Sequence, residues 1–264
     1  MPGLLPPNIK SLILDMDGVL WKEFTPIGNL PAIFDRIHER GLKVVFATNN
    51  GTQTPNQYIT RMETLGIEVE PWQVVTSALG VTDLLKKRFP FGGPVFAIGG
   101  EGVMEALRDG GFELLSIEAA KHAQAVVMGL DLHINFEKIL EASLLVDGGT
   151  PFYATNPDKT FPTPRGEIPG AGAWISVIVT ATGVEPIFAG KPSPYLFDIA
   201  RHRLGTSKGE TLIVGDRLET DIAGGQAAGC PVALVLSGVS ELKQARKWKP
   251  HVNIIAQDLA QLVE

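Results

Sequence analysis

The chain has 264 residues, of which 44% are hydrophobic and 20% are charged, a composition typical of a globular protein with a sizeable core. The formal net charge is −6 and no block of Lys or Arg occurs, so nucleic acid is not expected as a partner. The single cysteine, Cys230, excludes an internal disulfide framework and a cysteine-based zinc site.

The first residues, Met1 to Pro7, are proline-rich and uncharged, which is unlike a signal peptide. No apolar run approaches the ~20 residues that a membrane-spanning helix needs. The sequence therefore predicts a cytoplasmic protein without a membrane partner.

Short apolar runs alternate with helical patterns along the chain. Helical spacing is found at 30–40 and at 55–65, with Gly41 and Gly66 where a helix C-cap is expected. Consecutive aliphatic residues of the kind found in strands buried on both faces occur at 11–15, 44–48, 95–98, 125–128, 152–155, 211–214 and 232–236. This alternation predicts an α/β fold with a Rossmann-like parallel sheet.

The stretch 78–184 contains its own series of strand and helix patterns, interrupted by Gly-Gly pairs at 92–93, 99–100, 110–111 and 148–149. We interpret it as a smaller α/β domain inserted into a core formed by residues 1–77 and 185–264.

Polar residues follow four of the predicted strands. In an open parallel sheet, functional groups collect beyond the carboxyl ends of the strands. The four clusters are Asp15 with Asp17, then Thr48 with Asn49 and Asn50, then Lys191 after the apolar run 187–189, and last Asp216 with Asp221.

The acidic residues suit a hard divalent cation. Asp15 and Asp17 are two positions apart, so on a continuing strand both would point to the same side and repel each other. Asp216 and Asp221 add further oxygen ligands. Oxygen ligation without nitrogen or sulfur favours Mg²⁺.

The remaining polar groups suit phosphate. Lys191 supplies a positive charge, Thr48 a hydroxyl, and the turn of Asn49 and Asn50 supplies amides. Such groups around a cation stabilise a phosphoryl transition state, and a carboxylate nucleophile with a second carboxyl as acid and base divides hydrolysis into two steps.

The strings Asp15-x-Asp-Gly-Val-Leu-Trp, Thr48-Asn-Asn, Gly190-Lys-Pro-Ser-Pro and Gly215-Asp-Arg-Leu-x-Thr-Asp-Ile resemble, in order and spacing, the four motifs of the haloacid dehalogenase (HAD) superfamily. They are most similar to its NagD-type, 4-nitrophenylphosphatase group, which has a large α/β cap. The resemblance covers nearly the whole chain, and it implies a phosphatase acting on a small-molecule phosphate ester.

The resemblance also implies individual roles. Asp15 would be the nucleophile that forms an aspartyl-phosphate, and Asp17 the general acid and base. Mg²⁺ would be held by the Asp15 carboxylate, the backbone carbonyl of Asp17 and Asp216. Thr48, Asn49 and Lys191 would hold phosphate oxygens, with Asn50 in the same turn.

Several alternatives stay open at this point. Asp221 either orients metal-bound water, binds the metal directly, or stiffens the helix that follows. The segment from Asn156 to Lys159, within the proline-rich run to Pro164, is either a surface turn or a cap loop whose Asn156 and Lys159 contact the substrate.

Two rival functions also fit this sequence. The first is a phosphotransferase or mutase on the same fold, and the second is a non-catalytic metabolite-binding relative. Because relatives are often dimers through their caps, a homodimer is a further expectation.

Overall fold

The structure is a computed structural model, which describes residues 4–23, 25–163 and 165–264. The first three residues of the proline-rich start and Pro164 at the end of the predicted cap loop lie outside the described residues. Within these described ranges the chain forms fifteen strands: β1 Ser11–Leu14, β2 Trp21–Lys22, β3 Thr25–Pro26, β4 Lys43–Thr48, β5 Val74–Thr76, β6 Gly93–Ile98, β7 Phe112–Leu114, β8 Ala125–Met128, β9 Phe152–Ala154, β10 Thr160–Thr163, β11 Gly166–Pro169, β12 Ile187–Phe188, β13 Thr211–Gly215, β14 Val232–Val235 and β15 Ile254–Ala256.

The described residues form ten α-helices. They are α1 Leu30–Glu39, α2 Pro55–Thr64, α3 Ser77–Arg88, α4 Glu101–Asp109, α5 Phe136–Asp147, α6 Ala171–Thr182, α7 Tyr195–Leu204, α8 Ala223–Ala227, α9 Leu242–Ala245 and α10 Leu259–Leu262. A π-helical turn, Leu218–Ile222, precedes α8.

The chain divides into two compact units. Unit 1 contains the residues up to Thr48, Asn56–Val75 and Lys191–Glu264, and unit 2 contains Asn49–Pro55 and Thr76–Gly190. Unit 2 thus includes a short segment, residues 49–55, that sequence patterns alone do not assign to it.

Unit 1 is built on a six-stranded sheet with the strand order β15-β14-β13-β1-β4-β5. Strand β1 pairs in parallel with β13 on one side and with β4 on the other. Alternate residues of β1 pack on opposite faces: Leu12 and Leu14 join one apolar cluster, and Ile13 joins the other. The run is therefore a parallel strand buried on both faces, which confirms the predicted fold class.

The first helix shows how local sequence fixes an element. The side chain of Asn29 accepts a hydrogen bond from the backbone N–H of Ala32 at 3.3 Å and caps the helix. Ile33 and Ile37, four positions apart, are buried on the face that meets the sheet. Gly41, with φ of 66°, follows the last turn in a left-handed conformation that glycine adopts without strain.

Unit 2 has its own five-stranded parallel sheet with the order β12-β9-β8-β6-β7. Strands β10 and β11 form a separate antiparallel hairpin. Helix α6 begins after Gly170, which is its N-cap residue.

One predicted strand lies in a different sheet from the one expected. Residues 187–189 were predicted to belong to the core, whereas β12 pairs with β9 in the sheet of unit 2 through Ile187–Tyr153 and Phe188–Ala154. Lys191, three residues after β12, is the first residue of the returning part of unit 1. The run is too short and too apolar to show, by pattern alone, which sheet it joins.

Cys230 is buried in the apolar cluster beneath β13 and β14, as a small hydrophobic residue would be. Among the described residues, no helix has the length and apolar character needed to cross a membrane.

Candidate active site

Two neighbouring strands bring the first and last acidic motifs together. Asp15 follows β1 and Asp216 follows β13, and these strands pair with Leu14 opposite Val214. The backbone N–H of Asp15 continues the ladder by donating to Val214 O at 2.9 Å. Parallel pairing puts both carboxyl ends at one edge of the sheet, so the two aspartates meet although about 200 residues separate them.

Asp221 completes a cluster of three carboxylates. It lies in the π-helical turn after β13, and one of its oxygens accepts from the backbone N–H of Arg217 at 3.1 Å. One oxygen each of Asp15, Asp216 and Asp221 lie within 4.8 Å of one another. At that separation, two ionised carboxylates repel by roughly 3 kcal/mol at an effective dielectric constant near 20.

Lys191 supplies the positive charge in this cluster. Its Nζ donates to Asp15 Oδ1 and to Asp221 Oδ1, both at 2.7 Å, and to the carbonyl of Ala47 at 3.0 Å. Burial alone would lower the pKa of Lys191, but the adjacent Asp15 and Asp221 raise it above its ordinary value. Three ionised carboxylates and one ammonium leave a net charge of −2, which one divalent cation would neutralise.

Asp216 has an oxygen that fits a metal ion. Its Oδ2 accepts from the backbone N–H of Val239 at 2.7 Å, whereas its Oδ1 is buried and has no hydrogen-bond partner among the described residues. A buried carboxylate oxygen without a partner is costly unless a cation or water satisfies it. The all-oxygen donor set and this free oxygen fit Mg²⁺.

Glycines surround the Asp216 carboxylate closely. A Cβ on Gly18, which has φ of 82°, or on Gly238 would overlap Asp216 Oδ2. The Gly that follows Asp17 in the first motif therefore allows a tight turn and also leaves room for the last motif.

Burial raises the pKa of two of the clustered acidic residues, Asp15 and Asp216. The pKa of Asp216 is raised to about 6 by burial and by the charge of Asp221. The pKa of Asp15 is also raised, mainly by burial, although Lys191 opposes this shift. The site therefore disfavours several negative charges at once when no cation is bound.

A pH dependence of stability follows from Asp216. Between the unfolded value near 3.8 and the folded value of about 6, the folded chain keeps a proton that the unfolded chain has released. In the absence of divalent cations, we expect the free energy of unfolding to fall by on the order of 2 kcal/mol as the pH rises from about 4 to about 6. Urea titrations of wild type and Asp216→Asn across this range test it, and an equal slope in both proteins would contradict it.

Asp17 lies outside the carboxylate cluster. Its Oδ1 accepts from the indole Nε1 of Trp21 at 2.8 Å, and its side chain is not among the three grouped carboxylates. Burial raises its pKa, while the hydrogen bond from Trp21 lowers it. Its side chain is thus separate from the predicted metal ligands, and a contribution to the metal through its backbone carbonyl stays a prediction.

Thr48 ends β4, the neighbour of β1 on the other side, and is buried. Its side chain is hydrogen-bonded to the hydroxyl of Tyr58, which is itself buried on α2. Burial and the charges of Asp17 and Asp15 raise the pKa of Tyr58, which places this phenol within electrostatic range of both carboxylates.

The other predicted phosphate and substrate contacts belong to unit 2. The carbonyl of Asn49 accepts from Ser77 Oγ at 2.5 Å and from Asn156 Nδ2 at 2.7 Å. The Asn49 amide donates to Asp158 Oδ2 at 3.1 Å. These bonds order the segments around residues 49 and 156 within unit 2.

Asn50 and Lys159 have different surroundings. Asn50 Oδ1 accepts from the N–H and hydroxyl of Thr52, at 3.0 and 2.6 Å, which forms a local turn. Lys159 is exposed. Substrate contact by Asn49, Asn50, Asn156 and Lys159 stays a prediction.

Comparisons with known proteins agree with this geometry. A family model described as a haloacid dehalogenase-like hydrolase matches residues 12–113, and a second HAD-hydrolase-like model matches residues 188–262. An acid sugar phosphatase from Staphylococcus aureus is 37% identical over 237 residues, which is 90% of each chain. The chain belongs to the haloacid dehalogenase-like hydrolases.

Similar solved structures show which group within the family this chain resembles. A p-nitrophenyl phosphatase from Archaeoglobus fulgidus is 32% identical, with a TM-score of 0.89 over 97% of this chain and 98% of that one. A glycerol phosphate phosphatase from Mycobacterium tuberculosis, in complex with magnesium, is also 32% identical, with a TM-score of 0.89 over 97% of this chain and 76% of that one. The resemblance to the NagD-type, 4-nitrophenylphosphatase group is confirmed.

Two residues of the site were not predicted from sequence. Trp21 was named only as the last residue of the first motif string, without a role, and Tyr58 was not singled out. Trp21 ends the first motif string four residues after Asp17, and this proximity is the signal that points to it. The sequence offers no comparable signal for Tyr58, because its contact with Thr48 depends on how α2 packs on the sheet.

Proposed function

We propose that this hydrolase is a Mg²⁺-dependent phosphatase that removes phosphate from small phosphate monoesters through an aspartyl-phosphate on Asp15. The observation that carries the proposal is the meeting of Asp15, Asp216 and Asp221 with Lys191, together with the free buried oxygen of Asp216. The phosphatase names of its relatives, one of them in complex with magnesium, support the same function.

The first half of the reaction forms the phosphoenzyme. A carboxylate oxygen of Asp15 attacks phosphorus, and the bond from phosphorus to the ester oxygen breaks. Asp17 gives its proton to that oxygen, so the alcohol leaves in neutral form. The raised pKa of Asp17 favours the protonated form that this step requires.

The second half releases phosphate. Asp17, now ionised, takes a proton from a water molecule that attacks phosphorus, and the bond from phosphorus to Asp15 breaks. Inorganic phosphate leaves with Asp15 ionised and Asp17 protonated again, so the cycle closes without net consumption of either residue.

The cation site and Lys191 stabilise charge in both halves. The Asp15 and Asp216 carboxylates and the Asp17 carbonyl would hold Mg²⁺, which supplies charge neutralisation for the phosphoryl oxygens. Asp221 holds Lys191 and would orient a water bound at the cation. Lys191 and Thr48 would donate to phosphate oxygens.

The substrate class is proposed from the family resemblance, and the names of the relatives support sugar phosphates, glycerol phosphate and 4-nitrophenyl phosphate within that class. Sugar phosphates, glycerol phosphate and other polyol phosphates, phosphoglycolate and nucleoside monophosphates are candidates, and 4-nitrophenyl phosphate is the artificial substrate of choice. The division into a catalytic core, residues 1–77 and 185–264, and an inserted cap, residues 78–184, is part of this proposal, with the correction that residues 185–190 belong to unit 2 with the cap. A cytoplasmic location is also part of this proposal, and the single cysteine supports it.

A screen of phosphorylated metabolites tests the function. Phosphate release should depend on Mg²⁺ and stop with EDTA, and it should be restored when Mg²⁺ is added in excess. A rate that rises with an added sugar acceptor, with transfer of phosphate to it, would favour the phosphotransferase alternative. Ligand binding without turnover of any ester would favour a metabolite-binding protein.

We also propose that the chain forms a homodimer through α5. Phe136, Leu140 and Leu144 are four residues apart on one face of this helix and are all exposed, with Phe136 77% exposed. Such a row of large apolar side chains is unusual on a monomer surface and is typical of a subunit interface.

We expect Leu140→Glu to convert a dimer into a monomer, because it puts a charge in the centre of this row. Light scattering after size-exclusion chromatography measures the mass. Phe91→Glu is the matched control, since Phe91 is a fully exposed aromatic residue elsewhere in unit 2 and should not change the mass. A monomeric wild type, or a dimer that persists in Leu140→Glu, would contradict this interface.

A further inference from the structure

Trp21 is held against Asp17 by its backbone as well as its side chain. The indole Nε1 donates to Asp17 Oδ1 at 2.8 Å, and the Trp21 carbonyl accepts from the backbone N–H of Gly18 at 2.7 Å. The side chain of Trp21 is fully buried, so close packing, to which Arg61 contributes, restricts the orientation of the ring. The indole and the carboxylate therefore form one rigid arrangement.

Arg61 fixes the ring from one face. Its guanidinium carbon lies 4.0 Å from the centroid of the Trp21 ring, which is a close cation–π contact. Its Nη2 also donates to the carbonyl of Glu23, in the hairpin turn between β2 and β3. Arg61 thus connects α2 both to the Trp21 ring and to the turn between β2 and β3.

The chemistry of the indole makes it suited to an acid and base. Indole N–H is a donor only, so its partner oxygen must accept whether the carboxyl is ionised or protonated. When Asp17 is protonated, the indole therefore favours the proton on Oδ2, because the oxygen without the proton is the better acceptor. A hydroxyl or an amide side chain in the same place could change its role as the carboxyl gains or loses its proton, but an indole cannot.

We propose that Trp21 is a positioning residue for Asp17: its N–H fixes Oδ1 so that Oδ2 carries the proton in both halves of the reaction, and Arg61 fixes the indole. The role rests on the proposed function of Asp17 as general acid and base. A carboxyl free to rotate would present the wrong oxygen for part of the time, and proton transfer needs close alignment.

The test is a double-mutant cycle of Trp21→Phe and Asp17→Asn. Phenylalanine keeps an aromatic ring for Arg61 and removes only the donor. We expect Trp21→Phe to lower kcat roughly 10- to 100-fold, the scale of one hydrogen bond to a charged group, with KM changed less than about twofold. In the Asp17→Asn background, the same change should have almost no further effect.

The leaving group provides a second measurement. Glycerol phosphate needs a proton on its departing oxygen, whereas 4-nitrophenolate leaves without one. The loss of kcat/KM in Trp21→Phe should therefore be larger for glycerol phosphate than for 4-nitrophenyl phosphate. A purely structural role for Trp21 would lower both by the same factor.

Trp248→Phe is the matched control, because the indole of Trp248 donates to Gln226 Oε1 at 3.1 Å, a comparable bond that involves none of the site residues. Its activity should equal that of wild type. If Trp21→Phe does not fold, Arg61→Ala, which keeps the N–H but frees the ring, should lower kcat by a smaller factor with the same leaving-group dependence.

The possible results separate the two proposals. Wild-type kcat in Trp21→Phe, or an equal loss in both Asp17 backgrounds, would overturn the role of Trp21 and leave the phosphatase assignment intact. A wild type that releases no phosphate from any ester would overturn the proposed function and this role together.

Discussion

Asp15→Asn should abolish phosphate release while leaving the chain folded. The amide has the shape of the carboxylate but is a far weaker nucleophile, so we expect kcat to fall at least roughly 10⁴-fold. Lys191 keeps its bonds to Asp221 and to the Ala47 carbonyl in this variant. The substitution weakens the hydrogen bond from Lys191 to residue 15, but it also removes the charge repulsion between Asp15 and the carboxylates of Asp216 and Asp221. The two effects oppose each other, so the melting temperature should change little.

A direct measurement identifies the nucleophile. Acid quenching during turnover of 4-nitrophenyl phosphate, followed by peptide mass spectrometry, should find one added phosphoryl group on the peptide that contains Asp15. Asp17→Asn should increase the trapped fraction, because the second half of the reaction loses its base.

Asp35→Asn is the control for these experiments. Asp35 is exposed on α1, so the same change of charge there should leave turnover as it is in wild type. Full activity in Asp15→Asn, or phosphoryl transfer to another residue, would contradict the assigned nucleophile.

The strand ends could be predicted from sequence because a parallel sheet leaves little freedom there. A run buried on both faces, such as β1, must be followed by polar residues at the edge where its neighbours also end. Asp15 and Asp216 were therefore expected to meet, and they lie on paired strands. The order β13-β1-β4 itself depends on long-range pairing, which no local pattern contains.

Other features could not be obtained in this way. Strand β12 has two residues, and its pairing with β9 rather than with the sheet of unit 1 is decided by contacts far away in sequence. Hairpin β10–β11 contains Pro162 and alternates weakly, so no strand was predicted there. Trp21 returns to Asp17 because the chain turns sharply at Gly18, and hydrophobic periodicity does not reveal such a turn.

Lys191→Met should have the largest effect on stability. Lys191 is the only cation bonded to the carboxylate cluster among the described residues, and its side chain is 3% exposed. Methionine has a similar length but no charge, so Asp15 and Asp221 would be left buried without their partner. Removing one member of a buried ion pair typically costs about 3–5 kcal/mol. Turnover should also be lost, because the charge that faces the phosphoryl oxygens is removed.

The pH dependence of this loss distinguishes lost charge from lost packing. Without the ammonium, the pKa of Asp15 should rise further, so protonation of Asp15 at low pH relieves the repulsion. The difference in free energy of unfolding between wild type and Lys191→Met should therefore be larger at pH 8 than at pH 5. Urea titrations at both pH values, in the presence of EDTA, measure it.

A second change in the same cluster sharpens the test. Asp221→Asn in the Lys191→Met background removes one of the stranded charges, so it should recover part of the lost stability, whereas in wild type it should cost stability by removing a partner of Lys191. If Lys191 acts by balancing charge, the effect of Asp221→Asn on the free energy of unfolding must have opposite signs in the two backgrounds. If Asp221→Asn destabilises both backgrounds equally, Lys191 contributes mainly through packing, and the charge balance that makes this cluster a site for a divalent cation would have to be abandoned.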